Sequence, residues 1–163
     1  MEKIISKIKE FHSVFGIEES KEFGYVDPKR DALHYDLLIE EVEEFREACE
    51  NQNEEKIIDG IGDVIFVAIS SAIERGMGDI LVDVIMEISR ANISKKGSTK
   101  GENIYREDGK VLRSPNYTPP DIKSIIKKYK ERLVCDSCGI AICSMKRNGS
   151  ASPESLVHCP LSK

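Results

Sequence analysis

No run of apolar residues in this 163-residue chain is long enough to cross a bilayer. The opening MEKIISKIKEF has charges spaced through it and lacks the apolar block of a signal peptide. An excess of positive charge is missing as well. At a net charge of −5 the chain is a poor general coat for nucleic acid, and any polyanion site must be a local basic patch. Internal repeats and low-complexity tracts are absent, and only residues 104–113 read as strand. A cytoplasmic, reducing location and an all-α fold, without a membrane segment, are the expectations.

What is present is charge and helical periodicity. Charged residues make up 33% of the chain and hydrophobic ones 40%, which implies a small core under a highly charged surface. The length fits one domain with a small appendage. Of the five cysteines, Cys49 stands alone in a helical pattern, and the other four sit in the last 29 residues. In a reducing compartment such clustering points to metal before disulfide. Cys135 and Cys138 form a CxxC followed by glycine, as in a zinc knuckle. Cys143 and Cys159, with His158 as an alternative, would complete four ligands for Zn²⁺. A second CxxC is lacking, so a tail with free thiols is the competing reading. Residues 134–163 are therefore set apart from residues 1–133.

Ile4, Ile8, Phe11 and Phe15 recur at helical spacing and predict a first helix over 2–15. A polar connection follows and closes on Asp27-Pro28. A second helix is expected from about Asp31 to Cys49, and a third from near Asn53 to Arg75, with Gly76 beyond its end. A fourth runs from about Asp79 to Ile93. Residues 94–120 are rich in basic residues, glycine and proline, and read as a loop with a small hairpin turning at Asp108-Gly109. A fifth helix is expected over 121–133. The predicted architecture is a helical bundle of about five helices with this short hairpin-like basic loop.

The second helix contains IEEVEEFREACE, six glutamates in twelve residues. At about 100° per residue, Leu38, Val42, Phe45 and Cys49 form an apolar stripe, which makes Cys49 an inert buried thiol. His34, Leu37, Ala48, Glu41 and Glu44 lie just to one side. Glu43 and Glu47 fall on the opposite, solvent side, and Glu40 is borderline. So Glu41 and Glu44, spaced i, i+3, stand at the edge of the core, unless this is simply a solvated face. The third helix, KIIDGIGDVIFVAISSAI, is apolar nearly all round and reads as central and buried. Asp59 and Asp63 share one face of it at i, i+4. Unpaired, they would be costly to bury. Pairing with Lys or Arg is one remedy. A hard cation such as Mg²⁺ or Mn²⁺ held between two carboxylate pairs is the other. Gly60 and Gly62 weaken this helix, which makes sense if something approaches its backbone closely. Asp83 and Glu87 read as solvated or paired to Arg90. His12 and His34 read as packed side chains with one hydrogen bond each.

The order of these elements resembles the all-α nucleoside triphosphate pyrophosphohydrolases, a MazG-like superfamily. The likeness is closest to its phosphoribosyl-ATP pyrophosphohydrolase-like branch. The residues that carry it are Phe11-His12, the EEVEE run from Glu40 to Glu44, the DxxxD pair Asp59 and Asp63, RANISK at 90–95, and GKVLRSPNYTPPD at 109–121. The resemblance covers about residues 1–130 and does not reach the cysteine tail. It implies a helical bundle assembled as a homodimer or homotetramer, with Mg²⁺ held by Glu41, Glu44, Asp59 and Asp63. It also implies cleavage of a nucleotide between its α- and β-phosphates, giving a monophosphate and pyrophosphate. At Gly60 the chain departs from the many superfamily members that carry an acid there, and Asp59 takes that place. Such chemistry needs a positioned water and neutralised phosphate charge. Glu41 or Glu40 would orient or deprotonate the water. Lys95, Lys96, Lys110 and Arg113 are candidates for the phosphates, Asn92 for sugar or base, and Tyr117 for stacking. A non-catalytic nucleotide- or metal-binding module, and a zinc-stapled interaction protein acting through its tail, are the alternatives.

Overall fold

The computed structural model describes residues 1–20, 23–97 and 103–133. Among them are five α-helices: α1 (Glu2–Phe15), α2 (Pro28–Glu50), α3 (Glu54–Glu74), α4 (Leu81–Ile93) and α5 (Ile122–Leu133). A 3₁₀ turn, Gly78–Ile80, precedes α4. The described residues hold no named strand, and no described helix is long and apolar enough to cross a membrane.

Local chemistry sets the helix ends. Asp27 caps α2 by accepting a hydrogen bond from the Lys29 N–H at 2.9 Å, with Pro28 in the first turn. The helix therefore starts three residues before Asp31, because Asp27-Pro28 is a cap followed by a preorganised first residue, not the end of a loop. Asn53 caps α3 through the Lys56 N–H at 3.1 Å, and Glu54 and Glu55 complement the helix dipole there. Gly76 leaves α3 at φ +67°, a conformation other residues rarely adopt.

The chain forms two compact units, Met1–Val82 and Asp83–Lys163. In the first, α1 and α2 both pack on α3. Ile5 and Ile8 of α1 meet Ile69 and Ile73 of α3, with Phe66, Leu81 and Val82 against them. Ile8 and Ile73 are almost completely enclosed. Each contributes about 1.5–3 kcal/mol of apolar burial. Phe11 meets Phe66 edge-on at 5.2 Å between ring centres. Polar residues of the loop after α1 cap the end of α3: the Ser20 and Gly24 N–H groups donate to the Glu74 and Arg75 carbonyls at 2.7 and 2.8 Å.

Two expectations fail here. First, α3 is not enclosed on all sides. Ile58 is 67% exposed, and Ile61 and Ile65 are exposed too, because α1 and α2 cover only part of its circumference. Second, the buried line of α2 is rotated from the predicted stripe. His34 and Ala48 are buried, and Leu37, Leu38, Glu41 and Phe45 are half-buried, so two of the four stripe residues do face α3, whereas Val42 and Cys49 are exposed. A single neighbour, α3, selects the narrow line 34–41–48, two turns per step, and this brings Glu41 into the seam while turning the Cys49 thiol out to solvent.

In the second unit, the residues after α4 fold back in a small hairpin. Its one antiparallel bridge joins Tyr105 to Val111, with Gly109 at φ +88° in the turn. Arg90 ties this segment to α4. It pairs with Glu87 through two nitrogens, at 2.8 and 2.9 Å, and donates to Thr118 Oγ1 and the Pro119 carbonyl. Ser114, buried, donates to the Lys96 carbonyl at 2.8 Å.

Candidate active site

The antiparallel seam of α2 and α3 is closest near Gly60. A Cβ placed there would lie 3.1 Å from both Cα and Cβ of Phe45. This accounts for the glycine: the close approach the sequence suggested comes from α2 itself. It also explains why the acid sits at Asp59, since a glutamate at 60 would drive into the α2 backbone. Gly62 has nothing within 4 Å of its own missing Cβ, so no described neighbour requires it.

Beside this contact, α2 and α3 gather five carboxylates. Glu41 is half-buried in the seam. Burial raises its proton affinity above the usual carboxylate range, and Asp63, Glu44, Glu40 and Asp59 raise it further, in that order. Among the described residues, no Lys or Arg forms an ion pair with any of the five. The pairing with Lys or Arg that would have made Asp59 and Asp63 ordinary core acids is therefore not found among them. Asp63 is half-buried, while Asp59, Glu40 and Glu44 are exposed. The negative charge is thus concentrated and uncompensated.

Next to it lies a cleft of 440 Å³ between the last turns of α2 and the first of α3. Glu44, Glu47, Asp59 and Gly60 line one part, and Asn51, Asn53 and Lys56 the other. Sequence reasoning placed Glu47 on the solvent face and did not single out Lys56. The 51–53 turn brings both into the cleft. Lys56 was legible only as the third residue of an acidic first turn.

The donor chemistry suits a hard divalent cation: carboxylate oxygens only, with excess negative charge. Among the described residues, no three His, Cys, Asp or Glu side chains converge closely enough to hold an ion as they stand.

The basic candidates lie in the second unit. Lys95 is half-buried; Asn92, Lys96, Lys110 and Arg113 are exposed. Tyr117 is half-buried, and the Arg113 guanidinium covers one face of its ring at 4.6 Å. A base stacking on Tyr117 would have to displace Arg113 or use the other face. Cys135, Cys138, Cys143 and Cys159 lie outside the described residues, so the zinc expectation is not addressed by the fold.

A second polar cluster was not anticipated. Glu74, at the end of α3, is buried and accepts hydrogen bonds from Arg30 Nε and Nη2 at 2.5 and 2.9 Å. Burial alone would raise its pKa, but Arg30 and His34 hold it below the ordinary range. His34, also buried, has Nε2 3.0 Å from Glu74 Oε1 and Nδ1 2.8 Å from Arg75 Nη1. Its one hydrogen bond, the number expected, is therefore to Arg75, and Nε2 meets Glu74 only as a close polar contact. Arg75 also reaches Asp31 and Ser71. His12 hydrogen-bonds Ser70 Oγ at 2.7 Å, as a packed histidine should, and burial lowers its pKa against the opposing pull of Glu74. The partners that join α2 to the end of α3 in this cluster are 40–44 residues apart in the chain, and no local pattern links them.

Comparison with known proteins decides the family. The phosphoribosyl-ATP pyrophosphohydrolase profile matches residues 8–92, from α1 through α4 and across the whole α2–α3 seam. The chain belongs to that family. It is accordingly a pyrophosphohydrolase, a hydrolase of nucleotide phosphoanhydrides, within the all-α nucleoside triphosphate pyrophosphohydrolases. No curated protein matches the chain. The family match ends at Asn92, so the candidates from Lys95 to Tyr117 lie beyond it.

Proposed function

We propose that this pyrophosphohydrolase is a Mg²⁺-dependent enzyme that cleaves the α–β anhydride of a nucleoside triphosphate, releasing a monophosphate and pyrophosphate. Support comes above all from one observation: Glu41 sits in the α2–α3 seam among four other carboxylates with no cationic partner. Such an arrangement is costly unless a cation and an anionic substrate complete it. A divalent ion bound by Glu41, Glu44, Asp59 and Asp63 would supply neutralisation of phosphate charge and a more acidic water.

The chain's own groups handle orientation and the proton. Glu41, in the seam among the other carboxylates, is the proposed acceptor for the proton of the attacking water, with Glu40 beside it as the second candidate. Water oxygen adds to phosphorus, the bond to the bridging oxygen breaks, and pyrophosphate leaves with that oxygen. Lys56, in the cleft beside Asp59, is a cation for the phosphates. Lys95, Lys96, Lys110 and Arg113 are the residues proposed for phosphate, Asn92 for sugar or base, and Tyr117 for stacking.

We also propose that the chain acts in the cytoplasm as a homodimer or homotetramer. The exposed Ile58, Ile61 and Ile65 on α3 support self-association, since an apolar stripe on a charged protein is usually covered. The test of activity is a panel of NTPs and dNTPs with Mg²⁺ or Mn²⁺ and detection of pyrophosphate. Turnover by the parent and its loss in Glu44→Ala and Asp63→Asn are expected. A panel that yields neither pyrophosphate nor phosphate refutes the proposal.

A further inference from the structure

The Arg30–Glu74–His34 cluster, in which Glu74 and His34 are buried and Arg30 is partly exposed, is not used by the chemistry above, yet it lies on the same seam. Eleven residues along α2 lead from Arg30 to Glu41, and eleven back along α3 lead from Glu74 to Asp63. Eleven residues are close to three turns, so each helix presents its cluster residue and its acidic residue on one face, roughly 16 Å apart. One pair is strongly attractive and the other is repulsive. The register that joins Arg30 to Glu74 is the register that opposes Glu41 to Asp63.

The cluster fits a single setting of the two helices. Arg30 meets both oxygens of Glu74, which demands a planar, side-on approach. Arg75 can only donate, so His34 Nδ1 accepts, while Nε2 lies 3.0 Å from Glu74 Oε1, a close polar contact without hydrogen-bond geometry. Arg75 then reaches Asp31 one turn earlier on α2. Two cations, two carboxylates and a neutral imidazole balance one another between the start of α2 and the end of α3. A slip of one residue would break each of these bonds. The apolar contacts of the core would tolerate such a slip far better, being non-directional.

We propose that Glu74, with Arg30 and His34, is a positioning group for the acidic site: it locks α2 against α3 so that the mutually repelling carboxylates stay opposed and ready for a divalent cation. This rests on the metal-dependent reading of that site. Its role is at a distance, since Glu74 touches neither the carboxylates nor the substrate.

Calorimetric titration of the full chain with Mn²⁺ provides the test, independently of turnover. In Glu74→Gln the dissociation constant for Mn²⁺ should rise about tenfold, the lower end of what loss of a supporting partner costs a metal site. Ile73→Val, a core change matched for loss of thermal stability, should shift it less than about twofold. Should Glu74→Gln fail to fold, Arg30→Lys keeps the charge but cannot span both oxygens, and should weaken Mn²⁺ about threefold. Unchanged Mn²⁺ affinity in the folded cluster variants, or equal weakening in Ile73→Val, overturns the proposal, and so does a parent protein that binds no Mn²⁺. A parent that binds Mn²⁺ yet releases no pyrophosphate from the nucleotide panel refutes the proposed cleavage of nucleoside triphosphates and leaves the positioning role standing.

Discussion

Gly60 and Gly62 are two residues apart on one helix, yet alanine should act on them in opposite directions. In a helix interior, Gly→Ala gains about 1 kcal/mol from propensity alone. At Gly62 that gain is unopposed, since the new methyl meets nothing within 4 Å. At Gly60 the methyl lies 3.1 Å from Phe45 Cα, 3.1 Å from its Cβ and 3.3 Å from its N. Two of those three atoms are helix backbone and cannot rotate away, so α2 must move by a few tenths of an ångström. Overpacking of this kind costs about 1–3 kcal/mol. The expected net effects are therefore about 1 kcal/mol of stabilisation for Gly62→Ala and up to about 2 kcal/mol of destabilisation for Gly60→Ala. A difference of about 2 kcal/mol between the variants corresponds to roughly 4–8 °C in Tm for a chain of this length. Thermal unfolding followed by circular dichroism at the helical band reads it directly. If both variants shift Tm in the same direction by similar amounts, the close seam at Gly60 is wrong. The same displacement should carry Glu44 away from Asp59 and lower nucleotide turnover in Gly60→Ala, with Gly62→Ala close to the parent.

Three further outcomes are expected. Glu41→Gln should abolish pyrophosphate release yet stabilise the fold at pH 7 by about 0.5 kcal/mol through relief of like-charge repulsion, read as a higher Tm. Because the folded state raises the Glu41 pKa, that gain should vanish below the ordinary carboxylate range, where the parent side chain is protonated in both states, and Tm measured against pH checks both. Glu87 has its pKa lowered from 4.5 to about 2 by Arg90 and the Asp121 N–H, so carboxyl-resonance titration should show it ionised well below its neighbours. Its hold on the 118–121 segment is present above about pH 4.5 and is lost as pH falls towards 2, so protection of the Asp121 amide should fall in that window. Finally, Cys49 should react with N-ethylmaleimide in the native protein, as peptide mapping by mass spectrometry would show; protection of Cys49 would restore the buried thiol that helical spacing suggests.

Sequence alone determined the helices and the chemistry they carry. The 3.6-residue period and the punctuation around it place α1, α3 and α5 within a residue or two of their ends, because these signals are local. The order of the acidic motifs was enough to suggest the family that the profile match then showed. Which face of α2 meets α3 was not legible, since a helical wheel gives an apolar arc but not the neighbour that covers it. The neighbour chose the line through His34, Glu41 and Ala48, which moved Glu41 from the margin into the seam and Cys49 out of it. The exposed isoleucines of α3 show the same limit: apolarity records what wants cover, not what supplies it. The Arg30–Glu74–His34 cluster was invisible for a sharper reason. Its members on α2 and on α3 are ordinary polar and charged residues forty or more positions apart, and only the antiparallel packing of two helices brings an attractive pair and a repulsive pair into one register.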